Sequence, residues 1–324
     1  MTVFRGDYFE KNPYIGRLGT RYYFMTHKTK KNRLSPVRFA GIIGMALLVS
    51  CTSTRSKEAS EPEWKQLFNG KDLNDWIVKI NGYRVGDNFG NTFRVADGKL
   101  TVNYDQYDQF NDRFGHIFYK QQYSAYLLGV EYRFIGDQIK GGPEWAIRNS
   151  GAMIHSQSPE TMGQNQDFPI SLEVQMLGGN GKDERTTANL CTPGTNVVMN
   201  NKLITDHCIN STSKTYAGDQ WVRVEVLVLR DSIIKHIVER DTVLIYEKPQ
   251  IGGGNVSNYN PAAKRDLTVL RGGYISLQSE SHPIEFRKVE VFDLSSYVWN
   301  KRHLNRMLTK LRNRTAKVPG ESKK

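Results

Sequence analysis

From Trp64 to Leu294 hydrophobic residues recur at every second position. The clearest stretch, Trp221 to Arg230, reads Trp-Val-Arg-Val-Glu-Val-Leu-Val-Leu-Arg, and Asp231-Ser232, Ile233 to Glu239, Arg240-Asp241 and Thr242 to Tyr246 follow it. Three β-rich runs joined by two-residue turns predict a meander. Further strands are predicted at Phe93 to Val102, Ile117 to Tyr119, Tyr126 to Phe134, Ala152 to His155, Ile170 to Met176, Thr195 to Val198, Tyr274 to Gln278 and Ile284 to Phe292. No helical period separates these runs. The fold class read from them is all-β, an antiparallel sandwich in one domain of about 230 residues.

Period two also divides each strand into faces. Ile170, Leu172, Val174 and Met176 point one way, so Ser171, Glu173 and Gln175 point the other. Glu131 and Arg133 share the face opposite Tyr126, Leu128, Val130, Tyr132 and Phe134, and Ser276, Gln278 and Glu280 oppose Ile275 and Leu277. A polar outer face on a sandwich is ordinarily just solvated. Here the polar groups are carboxylates and amides rather than Lys and Thr. A loop rich in Gly and Pro (Gly141, Gly142, Pro143) also delivers Glu144, Trp145, Arg148, Asn149 and His155 to a strand edge. Planar polar groups with an aromatic platform suit a saccharide, which offers paired hydroxyls and an apolar C–H face.

The chain carries 45 Lys and Arg against 33 Asp and Glu, a formal charge of +12 over 324 residues. That excess suggests a nucleic-acid binder until it is mapped. Residues 1–50 carry +7 and residues 295–324 carry +8, which leaves −3 for residues 51–294. The fold itself therefore presents no electrostatic footprint for a phosphate backbone, and no nucleic-acid partner is expected.

Lys28, Lys30, Lys31, Arg33 and Arg38 precede an apolar run from Phe39 to Val49, which ends in Leu48-Val49-Ser50-Cys51 and a polar stretch. A charged region, a short apolar region and small residues before a cut describe a secretory signal. The run is shorter than the ~20 residues a spanning helix needs. The Leu-Val-Ser-Cys string resembles a bacterial lipobox, in which cleavage precedes a cysteine that is then acylated, so Cys51 is the expected lipidation site. Residues 1–50 are thus read as a signal region, for which Met25 would be a normal start, and 51–63 as a polar linker. The domain spans 64–294, and 295–324 is a basic tail. There Leu304, Met307, Leu308 and Leu311 have the spacing of an amphipathic helix, read either as a contact for anionic lipid or lipopolysaccharide or as a partly disordered tail. The expected location is the periplasm, outer membrane or cell surface, lipid-anchored. With Cys51 acylated, Cys191 and Cys208 are left to form one disulfide, with half a metal site beside His207 as the alternative.

Several ordered segments carry a family resemblance. They are Leu67-Phe-Asn-Gly-Lys-Asp-Leu-Asn-Asp-Trp76, Phe93-Arg-Val-Ala-Asp-Gly-Lys-Leu100, Asn149-Ser-Gly151, Glu173-Val-Gln175, Asp219-Gln-Trp-Val-Arg223, Gly273-Tyr-Ile-Ser-Leu-Gln278 and Ile284-Glu-Phe-Arg-Lys-Val289. Together they resemble the 3-keto-disaccharide hydrolase domain family, common in Bacteroidota and Planctomycetes. The resemblance implies a concanavalin-like jelly roll, frequent export as a lipoprotein, and hydrolysis or 1,2-lyase cleavage of 3-keto-glycosides. It further implies a sugar 3-dehydrogenase as the source of the keto group. Where the family has His-Gly after Leu-Gln, this chain has Ser279-Glu280-Ser281-His282, and Arg185 to Thr215 is an insertion bearing both cysteines.

A ketone at C3 acidifies the C2 proton; a base removes it, and the enolate expels the C1 substituent if an acid protonates the leaving oxygen. For that chemistry His155 or Glu173 is the candidate base, Glu280 or Glu144 the candidate acid, and Arg148 with Asn149 the enolate donors. Gln175, Gln278, Glu131 and Arg133 would bind hydroxyls, and Trp145 would stack on the ring. Plainer readings stand beside these: His155 as a core histidine, Glu173 paired with Arg133, Trp145 as a core cap. The residues demand no cofactor. A divalent metal such as calcium stays open at the carboxylate-dense Asn103 to Asp112, which is otherwise a solvated loop. Gly252-Gly-Gly254 reads as a flexible loop. The other functional class is a noncatalytic carbohydrate-binding lipoprotein. Two acid/base groups converging within one substrate's reach would distinguish the enzyme from it.

Overall fold

A computed structural model describes residues 63–315. The signal region, Cys51 and residues 316–324 lie outside the described residues. The strands, in chain order, are β1 (Lys65–Gln66), β2 (Trp76–Ile80), β3 (Phe93–Ala96), β4 (Lys99–Val102), β5 (Gly115–Tyr119), β6 (Ala125–Phe134), β7 (Asn149–Ser156), β8 (Leu172–Leu177) and β9 (Asn189–Cys191). They continue as β10 (Thr195–Met199), β11 (Lys202–Ile204), β12 (Cys208–Ile209), β13 (Val222–Leu229), β14 (Ile233–Val238), β15 (Asp241–Ile251), β16 (Tyr274–Ser279) and β17 (Ile284–Asp293). One α-helix among the described residues, α1 (Lys301–Thr315), follows.

The strands form two antiparallel sheets. The ten-stranded sheet runs β11-β10-β15-β14-β13-β6-β17-β4-β3 with β1 beside β17, and the seven-stranded sheet runs β12-β9-β8-β7-β16-β5-β2. The fold is the expected all-β jelly-roll sandwich, and β13, β14 and β15 are the predicted meander, paired Val228 to Ile234 and His236 to Leu244. β-branched and aromatic residues fill alternate positions because one face of each strand enters the core. From the ten-stranded sheet Tyr126, Leu128, Val130 and Tyr132 meet Ile117, Leu277, Ala152, Val174 and Leu190 of the other. These side chains are essentially solvent-free. Full burial of an aliphatic side chain of this size stabilises by roughly 1.5–3 kcal/mol.

The two outer faces differ. On the ten-stranded sheet one half is apolar and covered by α1: Leu304, Met307, Leu308 and Leu311 pack with Ala125, Leu127, Leu227 and Phe292. The other half is an ion-pair network. Arg223 reaches Glu131 at 3.0 Å and both Glu225 and Glu290 at 2.8 Å. Arg133 reaches Glu285 at 2.6 Å, Arg287 reaches Glu131 at 2.7 Å, and both guanidinium groups stack on Trp221. On the seven-stranded sheet the outer face is polar yet buried, because loops fold across it. Lys79, the most buried lysine here at 1% exposure, donates to the carbonyls of Ile80 and Gln164 and so ties the loop before β8 down onto β2.

Candidate active site

The buried polar face is built by strand register. Glu173 on β8 stands opposite Met153 on β7 and Cys191 on β9, and Gln175 stands opposite Gly151 and Asn189. Gln278 on β16 pairs with His116 on β5, and His116 pairs with Lys79 on β2. Gly151 makes room for the centre of this face. A Cβ there would lie 2.6 Å from Cγ and Oε1 of Glu173, so the carboxylate lies across β7 only because residue 151 has no side chain.

Loops close the face into a cavity of about 520 Å³, a usual size for a small-molecule site. Glu173, Gln175, Asn149 and Glu280 form its floor. Trp145 and Phe168 supply aromatic walls, with Phe114 stacked on Trp145 at 5.8 Å and 12° and packed on Phe168 at 5.1 Å. Trp145 remains 54% exposed, so it presents indole surface at the mouth. Arg185, Asp167, Asn255, Ser257 and His207 complete the polar lining. The loops support one another: the backbone N–H of Ser257 donates to Asp167 at 2.8 Å, and Arg185 donates to the carbonyls of Ile147 and Gly178.

Among the described residues, Oε1 of Glu173, Oε2 of Glu280, Oδ1 of Asn149 and both amide atoms of Gln278 are buried with no hydrogen-bond partner. Each unpaired buried polar atom costs about 1–3 kcal/mol, a cost a ligand's hydroxyls would remove. Burial pushes the Glu173 carboxyl up to about 8. Burial and then the neighbouring Glu173 push Glu280 well above the usual carboxyl range. Two carboxyls that hinder each other's ionisation in a cavity can divide the roles of acid and base between them. Burial, and then the neighbouring Lys79, hold the His116 imidazole down to about 3, so it is neutral; burial lowers Lys79 only to about 8, so it keeps its proton near neutral pH.

Of the residues singled out from the sequence, the cavity gathers Glu173, Glu280, Asn149, Gln175 and Trp145, and Gln278 lies on the same face without being in its lining. Others lie elsewhere. His155 has φ +49° at a register break between β7 and β16, and its Nε2 meets the Arg230 carbonyl at 2.9 Å, at the turn between β13 and β14. Burial depresses its pKa to about 4, and its ring reaches from the seven-stranded sheet to the β13–β14 turn of the other sheet, outside the cavity lining. Arg148, also at positive φ, is bound to Asp219 and the Gly218 carbonyl. Glu144 is solvent-exposed beside Lys182. Glu131 and Arg133 belong to the ion-pair network on the other sheet, because β6 enters the ten-stranded sheet. Glu173 is not paired with Arg133, whose carboxylate partner is Glu285.

Cys191 and Cys208 form the expected disulfide, 2.07 Å between sulfurs. With His207 they are the one set of three potential metal-ligating groups within 4.8 Å among the described residues, but both sulfurs are consumed by the bridge. Sequence reading missed Arg185, Asp167, Phe168, Asn255, Ser257 and His207 as lining residues. For Asn255 the only signal is the adjacent Gly252-Gly-Gly254, read as a loop.

No curated protein matches the chain. A provisionally assigned glycosyl hydrolase of Parabacteroides distasonis ATCC 8503 is similar in structure at 18% identity, covering 72% of this chain and 94% of its own, with a TM-score of 0.44. A second such protein of that organism has 17% identity, coverage of 72% and 100%, and a TM-score of 0.42. A Bacillus licheniformis β-glucanase has 10% identity, coverage of 72% and 98%, and a TM-score of 0.38. The model of the 3-keto-alpha-glucoside-1,2-lyase-like domain matches residues 63–292, the whole sandwich with its cavity, and the chain belongs to that family.

Proposed function

We propose that the chain is an enzyme that cleaves 3-keto-glycosides by proton abstraction at C2 and elimination at C1. The observation that carries this reading is the convergence of Glu173 and Glu280 on one buried cavity floor, both with raised pKa and each with an unpartnered oxygen. A lectin would need only neutral amides and aromatics there.

Glu173, which lies across Gly151 at the centre of the cavity floor, is the base, its raised pKa making it a stronger proton acceptor than an ordinary carboxylate once ionised. It takes the C2 proton, and the electron pair becomes the enolate of the C3 ketone, whose oxygen accepts from the amide N–H of Asn149 in this reading. The enolate re-forms as a C1=C2 double bond while the C1–O bond breaks. Glu280, still protonated, gives its proton to the departing oxygen. The two carboxyls exchange protonation states, and solvent restores them; water added across the double bond completes hydrolysis. Gln175 positions hydroxyls, and Trp145 stacks on the apolar face of the sugar. The lipobox-like Leu48-Val49-Ser50-Cys51 supports export and anchoring through Cys51, with a sugar 3-dehydrogenase nearby as the source of substrate.

The test is aglycone release from a 3-keto-glucoside and from its parent glycoside under the same conditions. Release from the keto compound alone is expected. Equal release from both would indicate an ordinary glycosidase, and release from neither with binding retained would indicate a lectin.

A further inference from the structure

The apolar side of α1 is used up by the fold, and its outward side is positive. Leu304, Met307, Leu308 and Leu311 face the sheet, so on a 100° helical wheel Arg302 and Arg306 stand on the crest, while Lys301 begins the helix at the edge of the apolar stripe. All three cations are exposed, and no Asp or Glu occurs between Leu294 and Gly320. Just before the helix Trp299 is 77% exposed, with the Arg230 guanidinium 5.0 Å from its ring centroid. An outward indole set among cations is the composition of a membrane-interface anchor: lipid phosphates meet the cations while the indole sits at headgroup depth.

We propose that the outward face of α1, together with Trp299, is a docking surface for an anionic lipid bilayer. A nucleic acid fits less well, because the positive strip does not continue onto the sandwich face beside it. Beside it the same sheet face carries Glu131, Glu225, Glu285 and Glu290 in ion pairs, and residues 51–294 sum to −3. Insertion as an amphipathic helix is also excluded, since the apolar side is already covered. Docking is therefore electrostatic and reversible. It has an orienting consequence: α1 lies on the outer face of the ten-stranded sheet and the cavity on the outer face of the seven-stranded one, so a docked domain presents its cavity away from the bilayer.

The test compares the full chain with its Lys301→Glu, Arg302→Glu, Arg306→Glu variant in co-sedimentation with phosphatidylglycerol-containing vesicles and with phosphatidylcholine vesicles. Both proteins share residues 1–62, so the difference between them isolates α1. The variant is expected to bind anionic vesicles more weakly by roughly tenfold or more, and high salt should remove the same increment from the wild type. An unchanged thermal midpoint shows that the variant is folded. Equal vesicle binding by the two proteins would overturn the proposal. So would a wild type that prefers a short DNA duplex to the vesicles and loses only the DNA binding on reversal.

Discussion

Glu173 and Glu280 hold protons in the folded chain that the unfolded chain has released near neutral pH, because burial raises both carboxyls above their unfolded value of about 4.3. The sign follows: a raised carboxyl contributes stability in full below the ordinary carboxyl range and loses it as pH rises through the raised one. The ligand-free domain should therefore become less heat-stable from about pH 5 to pH 9. Glu173→Gln, which has no proton to lose, should flatten that slope while abolishing turnover. A midpoint that rises across the window, or a slope the substitution leaves intact, would contradict the titration assigned here.

At the scale of elements, β7 decides the site. Gly151 leaves the space that Glu173 fills, and the break at His155 turns that imidazole toward Arg230 instead of the cavity. Gly151→Ala should push the Glu173 carboxylate aside. The expected result is a loss of turnover by at least tenfold with a stability cost of about 1–3 kcal/mol, the usual range for overpacking, measured by chemical denaturation beside the assay. Full activity would show that Glu173 reaches the substrate from another direction. The strands illustrate what alternation reveals and what it leaves out. Period two placed Glu173 and Gln175 on one face, and Gln278 and Glu280 on another; those faces proved to be the same. It placed Glu131 and Arg133 just as firmly, but pattern within a strand carries no information on which sheet the strand joins, and β6 joined the other one. His155 was misplaced because one bulged residue reverses a side chain without changing the run of apolar letters. Arg185, Asp167 and Asn255 come from loops, where no period exists and position depends on long-range contacts such as Ser257 to Asp167.

For the whole molecule, the sandwich carries a buried cavity with two carboxyls on one outer face and a positive helix on the other. The +12 charge reflects segments flanking the sandwich, not a site within it. The Cys191–Cys208 bridge, 17 residues apart, pins the edge strand β12 to β9, the strand beside Glu173. Replacing both cysteines by serine should cost about 3 kcal/mol in denaturant unfolding on the chain-entropy model. A loss well below 1 kcal/mol would mean that the edge is held by its hydrogen bonds and packing alone. The central claim is that Glu173 takes the C2 proton and Glu280 protonates the leaving oxygen. The most direct measurement follows deuterium entering C2 of a 3-keto-glucoside in D₂O, alongside aglycone release, for Glu173→Gln and Glu280→Gln. The account predicts neither exchange nor release for Glu173→Gln, and exchange without release for Glu280→Gln. C2 exchange at the wild-type rate in Glu173→Gln, or aglycone release at the wild-type rate in Glu280→Gln, would contradict it.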